Sequence, residues 1–303
     1  MANELKLPLT YTEIVDEIVR FTTLPREEVE HKVWMQSLQP GCNVLQDVAR
    51  FGVTPHISNK KMDQLYAEGN GFIFETLVFW AKPDRHQWSE QALERIRLYA
   101  TQKNLLADDI SILIFGDGTG NDSLYLASQG FHVDYFDVPG SKTFQFARNR
   151  FEKYGFLDKS IRVLPDYQSC FHREYDIVIS FEVLEHVPEP LGTIRDIAST
   201  LKMGGIALIT EDFGDIIPRL PTHLKANSKY LGQTPFLFLR NKLRLSWYSR
   251  QTLFKPMEFV KTRKVSTGDW FSPMRDFNIR SSFLSRYFMR PARFIEKLAY
   301  FRM

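Results

Sequence analysis

The chain has 303 residues, of which 44% are hydrophobic, 25% charged and 14% aromatic. At roughly 150 residues per domain this length fits one large domain or two smaller ones, and the composition excludes a disordered chain, a collagen-like fibre and a small disulfide-stapled scaffold. Lys and Arg number 39 against 36 Asp and Glu, and the resulting formal charge of +3 argues, as a total, against a dedicated nucleic-acid binder.

Two cysteines, Cys42 and Cys170, cannot build a disulfide framework. The opening MANELKLPLT lacks the basic and apolar regions of a signal peptide, and no apolar run is long enough to span a bilayer. These features lead to the expectation of a soluble, cytoplasmic protein.

Residues 1–105 read as a helical cap. Thr10 is placed to cap YTEIVDEIVRF, and Pro25 opens a second helix that Pro40-Gly41 ends. Two further helical segments run through NVLQDVARFG and NKKMDQLYAEG; GFIFETLVFWA is almost wholly apolar and should be buried. Ser89 is expected to cap EQALERIRLYATQ. The apolar period changes after Asp109: ISILIFG, HVDYFD, IRVLP, YDIVISF and, after a Gly204-Gly205 turn, IALITEDF read as strands, with helical segments between them. This alternation predicts an α/β fold with a doubly wound, mostly parallel sheet. Residues 106–222 would form its core, and 223–303 would complete the sheet and add a basic C-terminal segment.

Gly116-Asp117-Gly118-Thr119-Gly120 follows the first strand directly and opens a helix. Glycine permits the sharp turn and the close approach of backbone to a ligand. Asp137 ends the second strand, where a carboxylate can accept both hydroxyls of a ribose. The third glycine of a dinucleotide fingerprint is missing, which suits a ligand without phosphates.

The runs ILIFGDGTGNDSLYLASQG, HVDYFDV and YDIVISFEVLEHVPEPLGTIRDIASTLKMGGIALITE resemble class I S-adenosylmethionine-dependent methyltransferases over about residues 105–215. The resemblance implies a Rossmann-like fold, S-adenosyl-L-methionine as cofactor and a small-molecule substrate. It also implies that Gly116, Gly118 and Gly120 line the methionine part of the cofactor, Asp137 holds the ribose, Val138 flanks the adenine, Asp166 contacts the adenine amino group and Phe181 passes beneath. The family usually has an acidic residue two positions before the first glycine, where this chain has Ile114; Asp117 could supply that carboxylate, or could cap the following helix.

Methyl transfer to a hydroxyl needs a base, whereas a carboxylate acceptor needs positioning alone. His223, His186 and Glu182 are the candidates, Glu182 and His186 sharing a face if their segment is helical. His31, His56, His86, His132 and His172 have no motif context. No cluster stands at metal-ligand spacing in the sequence, so no metal is expected. The expected reaction is O-methylation of a small metabolite. A peptide carboxylate, a lipid-linked sugar, RNA or a non-catalytic scaffold role remain as alternatives.

The near-neutral total conceals a division. From residue 223 onward, seventeen basic residues face four acidic ones, a charge of +13 against −10 for residues 1–222. Arg286, Arg290, Arg293 and Lys297 recur at helical steps opposite Leu284, Tyr287, Phe288, Ile295 and Leu298. That basic amphipathic pattern could dock on the core or meet a membrane surface; a nucleic-acid partner is disfavoured, because no RNA-binding module is evident. The helical N-terminal region could also pair two copies into a homodimer.

Overall fold

The computed structural model describes residues 5–266. The amphipathic pattern at 284–298 lies outside the described residues.

The cap starts with helix α1 (Tyr11–Phe21), whose first turn is closed by a reciprocal pair: the Thr10 hydroxyl accepts from the Glu13 amide and the Glu13 carboxylate accepts from the Thr10 amide. Thr10→Ala removes half of this box and should lower stability by about 1 kcal/mol, readable as a shift in the urea midpoint without a change in slope. Helices α2 (Arg26–Leu38), α3 (Cys42–Phe51), α4 (Lys60–Glu68) and α5 (Gly71–Trp80) follow, then α6 (Pro83–Lys103). Ser89 is not the cap of α6. The helix begins at Pro83, whose missing N–H costs nothing there, and Ser89 lies inside it, donating its hydroxyl to Asp122. As the sequence suggests, α5 is buried, with Ile73, Phe74, Leu77 and Val78 packed against Ile14, Ile18 and Val33 of α1 and α2.

The described residues form a seven-stranded sheet: β1 (Ile112–Phe115), β2 (Val133–Phe136), β3 (Ile161–Val163), β4 (Tyr175–Phe181), β5 (Leu201–Thr210), β6 (Leu243–Tyr248) and β7 (Met257–Lys261), in the spatial order β3-β2-β1-β4-β5-β7-β6. The first five strands are parallel, and β7 runs antiparallel to both β5 and β6. Alternate residues of β1 feed opposite faces: Leu113 and Phe115 pack with helix α9 (Pro190–Thr200) and α10 (Thr234–Arg240), whereas Ile112 and Ile114 pack with α6, α7 (Asn121–Ser128) and α8 (Lys142–Lys153). Burial on both faces explains why the strands read as continuous apolar runs. The doubly wound sheet inferred from the sequence is present.

One local reading changes. Gly204-Gly205 lies within β5, not before it; at Gly205 a Cβ would stand 2.8 Å from the Asp176 carbonyl, so the glycine permits close strand approach where β4 is irregular. The stretch 243–261 forms the two antiparallel strands β6 and β7.

Candidate active site

Parallel strands leave their carboxyl ends at one edge, and there the turns after β1, β4 and β5 meet the cap. Between them lies a cavity of about 390 Å³, within the roughly 300–1,000 Å³ usual for a small-molecule pocket.

Of the residues singled out in the sequence, Gly116, Asp117, Gly118, Phe181, Glu182, His186 and His223 line this cavity. Gly120, Asp137, Val138 and Asp166 do not. Gly120 serves packing: at its φ of +76° a Cβ would stand 2.4 Å from the Phe151 ring. Asp137 is close behind the turn, its Oδ2 4.0 Å from where a Cβ would stand at Gly118, and it accepts hydrogen bonds from the Val138 amide and the Thr143 hydroxyl. Burial pushes its pKa up to about 6 against those two donors. Val138 is exposed, and exposed Asp166 accepts from the amide and hydroxyl of Ser169.

Asp117 takes the capping role. Its carboxylate accepts from the Asp122 amide (3.1 Å), the Ser123 amide (2.8 Å) and the Ser123 hydroxyl (2.6 Å) at the start of α7. Burial, and then the neighbouring Asp122, raise its pKa to about 7.

Arg85 of α6, which the sequence does not single out, and Trp80 of α5 hold Asp122. Arg85 Nη2 lies 2.6 Å from Oδ2, and the Trp80 indole N–H donates to Oδ1 at 3.0 Å. The Arg85 guanidinium also lies over the Trp88 and Phe181 rings. The cap adds a second contact to the glycine turn through the Thr76 and Thr119 hydroxyls, 3.0 Å apart.

Glu182 and His186 do not share a helical face. Residues 182–188 form turns, Glu182 has φ +55°, and its carboxylate pairs with Lys255 Nζ at 2.8 Å. Burial alone would lower the Lys255 pKa, but the carboxylates of Glu182 and Asp212 hold it above its ordinary value. Glu185, not Glu182, stands beside His186. His186 and His223 face each other edge to face with ring centroids 4.8 Å apart. Their ligand atoms and a Glu185 oxygen all lie within 4.8 Å of one another, a grouping that local spacing did not reveal because His223 is distant in sequence.

Burial lowers the His186 pKa to about 4, and burial together with His186 lowers that of His223 to about 3. His186 Nδ1–H donates to the Thr222 carbonyl at 3.2 Å, which leaves Nε2 as the lone-pair nitrogen. Burial, and then Glu182, raise the Glu185 pKa; both its oxygens and His223 Nδ1 are buried without a hydrogen-bond partner among the described residues. Across the cavity, burial raises Glu75 of α5 to about 7, with Arg219 pulling the other way.

No helix among the described residues is long and apolar enough to cross a membrane. In comparison with known proteins, residues 85–258 match a family described as a methyltransferase domain. The chain is 31% identical over 127 residues to a ubiquinone biosynthesis O-methyltransferase of Xylella fastidiosa (strain 9a5c), a match covering 42% of this chain and 51% of that protein. It is 33% identical over 100 residues to the protein of the same name in Aeromonas salmonicida (strain A449), covering 33% and 42%. The chain therefore spans about half the length of the curated relatives it matches or less. Among solved structures, the CurJ carbon methyltransferase is 15% identical with a TM-score of 0.48, covering 79% of this chain and 72% of that one. The magnesium protoporphyrin IX methyltransferase of Synechocystis PCC 6803 is 14% identical with a TM-score of 0.43, covering 85% and 100%.

Proposed function

Because the chain belongs to the methyltransferase domain family, whose cofactor is S-adenosyl-L-methionine, we propose that it methylates an oxygen, of a hydroxyl or a carboxylate, on a small molecule held under the cap. When bound, S-adenosyl-L-methionine supplies a methyl carbon already activated by a sulfonium. The protein must hold the acceptor in line, take up its proton where there is one, and exclude water. The turn fits the cofactor at Gly118: beyond Thr76 and Asp137 at 3.8 and 4.0 Å, no atom stands within 4 Å of where a Cβ would lie, whereas at Gly116 a Cβ would stand 2.5 Å from the Val183 side chain. In this reading Asp137, whose Oδ2 lies 4.0 Å from that Cβ position, receives the ribose hydroxyls.

The observation that carries the reading is the pair of neutral histidines in the same cavity as the glycine turn. A hydroxyl acceptor gives its proton to a ring nitrogen of this pair; a carboxylate gives none. The likeness to ubiquinone biosynthesis O-methyltransferases favours a hydroxyl on a benzenoid ring. The test is to incubate the protein with S-adenosyl-L-methionine and a panel of phenols, catechols and aromatic carboxylates, and to measure S-adenosylhomocysteine. Absence of cofactor binding by calorimetry would overturn the enzymatic reading in favour of a scaffold. Steeply salt-dependent binding of RNA would point to a nucleic-acid acceptor instead.

Asp137 provides a pH test. Its carboxylate must be ionised to accept two hydroxyls, so cofactor affinity should fall as pH drops below about 6. Asp137→Asn should weaken cofactor binding about 10- to 100-fold, equivalent to about 1.5–3 kcal/mol for hydrogen bonds to a charged group, and should abolish the pH dependence. Calorimetry at pH 5 and pH 8 reads both.

A second reading is favoured by the unpartnered Glu185 oxygens and His223 Nδ1. Glu185, His186 and His223 offer one carboxylate and two imidazoles, a set suited to a divalent cation that would acidify a hydroxyl bound beside it. Loss of turnover on dialysis against a chelator, restored by one divalent metal, would establish this variant; unchanged turnover leaves the histidines as the base.

A further inference from the structure

We propose that His56, in the cap, is a positioning residue for methyl transfer: it fixes the segment that carries His223, so that the two histidines are paired only when the cap is seated. This rests on the reading of the site given above. His56 lies between α3 and α4 with φ +67° and reaches the loop after β5 at three points. Its amide donates to the Pro221 carbonyl at 2.6 Å, its carbonyl accepts from the Lys225 amide at 3.1 Å, and its Nδ1–H donates to the His223 carbonyl at 2.9 Å. These bonds bracket residues 221–225 from both ends and bind the middle.

The same segment holds the other half of the site. The Thr222 carbonyl accepts from His186 Nδ1–H, the Leu224 amide donates to the Glu185 carbonyl at 2.9 Å, and Asn227 Nδ2 donates to the Val187 carbonyl at 2.8 Å. A hydrogen-bonded path thus runs from the cap through 221–227 to the turns carrying Glu185 and His186. None of these hydrogen bonds is made to the glycine turn. Loosening the latch should therefore alter proton removal and leave cofactor binding intact.

Two substitutions separate the contributions. Asparagine tolerates a positive φ and places an N–H near the position of Nδ1, so His56→Asn keeps the latch. His56→Gly keeps the backbone conformation and deletes the side-chain donor. Hydrogen exchange of the full chain with no ligand needs no acceptor. In His56→Gly the amides of 222–225 should exchange at least tenfold faster than in the wild type, while those of β4 and β5 are unchanged, and His56→Asn should restore protection. With an acceptor from the panel, kcat should fall at least tenfold in His56→Gly, with cofactor affinity unchanged by calorimetry and recovery in His56→Asn. Unchanged exchange at 222–225 overturns the latch, and a loss confined to cofactor affinity overturns the positioning role. If no acceptor in the panel is methylated, it is the functional reading that fails, and the exchange result still decides whether the latch exists.

Discussion

Arg85→Ala should destabilise the protein by about 3–5 kcal/mol, measured by urea unfolding at pH 7. Both members of the Arg85–Asp122 pair are buried, at 7% and 4% exposure, and Asp117 lies beside them. Burial alone would raise the Asp122 pKa; Arg85, with Ser89 and Trp80, holds it below its ordinary value instead. Removing the guanidinium leaves two buried carboxylates facing each other without a cation, and the unpaired charge, rather than the lost contact, is what costs stability.

The pH dependence has a definite sign. In the wild type, Asp122 has a depressed folded-state pKa, so its stabilisation is present above its unfolded value near 3.8 and is lost as pH falls through the folded value. In Arg85→Ala the folded-state pKa rises above the unfolded one. The folded protein then binds the extra proton, and the deficit shrinks between pH 7 and pH 5. The double variant Arg85→Met, Asp122→Asn should recover most of the loss, because no charge is left unpaired. A deficit under about 1 kcal/mol in the single variant would show that the pair is far better solvated than its burial indicates.

The second large effect is on turnover. Replacing His186 and His223 together with asparagine should lower kcat about 10²- to 10⁴-fold for a hydroxyl acceptor, the usual contribution of a positioned base, with cofactor affinity within twofold of wild type. Both rings are neutral across the ordinary working range because burial depresses them to about 4 and about 3. The acid limb of the kcat profile should therefore lie below about pH 5 rather than near the 6.5 of a free imidazole. If turnover survives replacement of both histidines and Glu182, no acid–base step operates, and the acceptor is a carboxylate.

The sheet, the glycine turn and the helical cap were legible in the sequence because each depends on neighbours within about ten positions: apolar runs for β1, β4 and β5, and helical periodicity for α1. The antiparallel pair β6 and β7 was legible only as a completion of the sheet somewhere within 223–303, without strand bounds, because the burial of β6 follows no regular alternation and β7 pairs with β5 about fifty residues away. The same distinction divides the site. Gly116 and Gly118 announce themselves by local spacing. A helical step of four would join His186 to Glu182; the chain instead turns at Glu182 with positive φ and brings Glu185 to the histidines. Lys255 carries no local signal, because a lysine in a basic segment has the pattern of solvated surface. It reaches the cavity because β7 is reversed, so the residue just before that strand, rather than one after it, lies at the carboxyl edge. Arg85 and Glu75 come from helices whose sequence shows only that they are amphipathic or apolar.

The contact between His56 and His223 spans 167 residues. During synthesis the cap is made first, and its docking segment emerges from the ribosome only after β1 to β5 have been translated. Closing so long a loop is slow relative to forming helices, so the interior of the cleft should be among the last regions to acquire native order. Newly made chains would pass through an interval in which the glycine turn exists and the paired histidines do not. Such chains could hold cofactor before they could use it, and in a refolding experiment cofactor binding should return ahead of turnover.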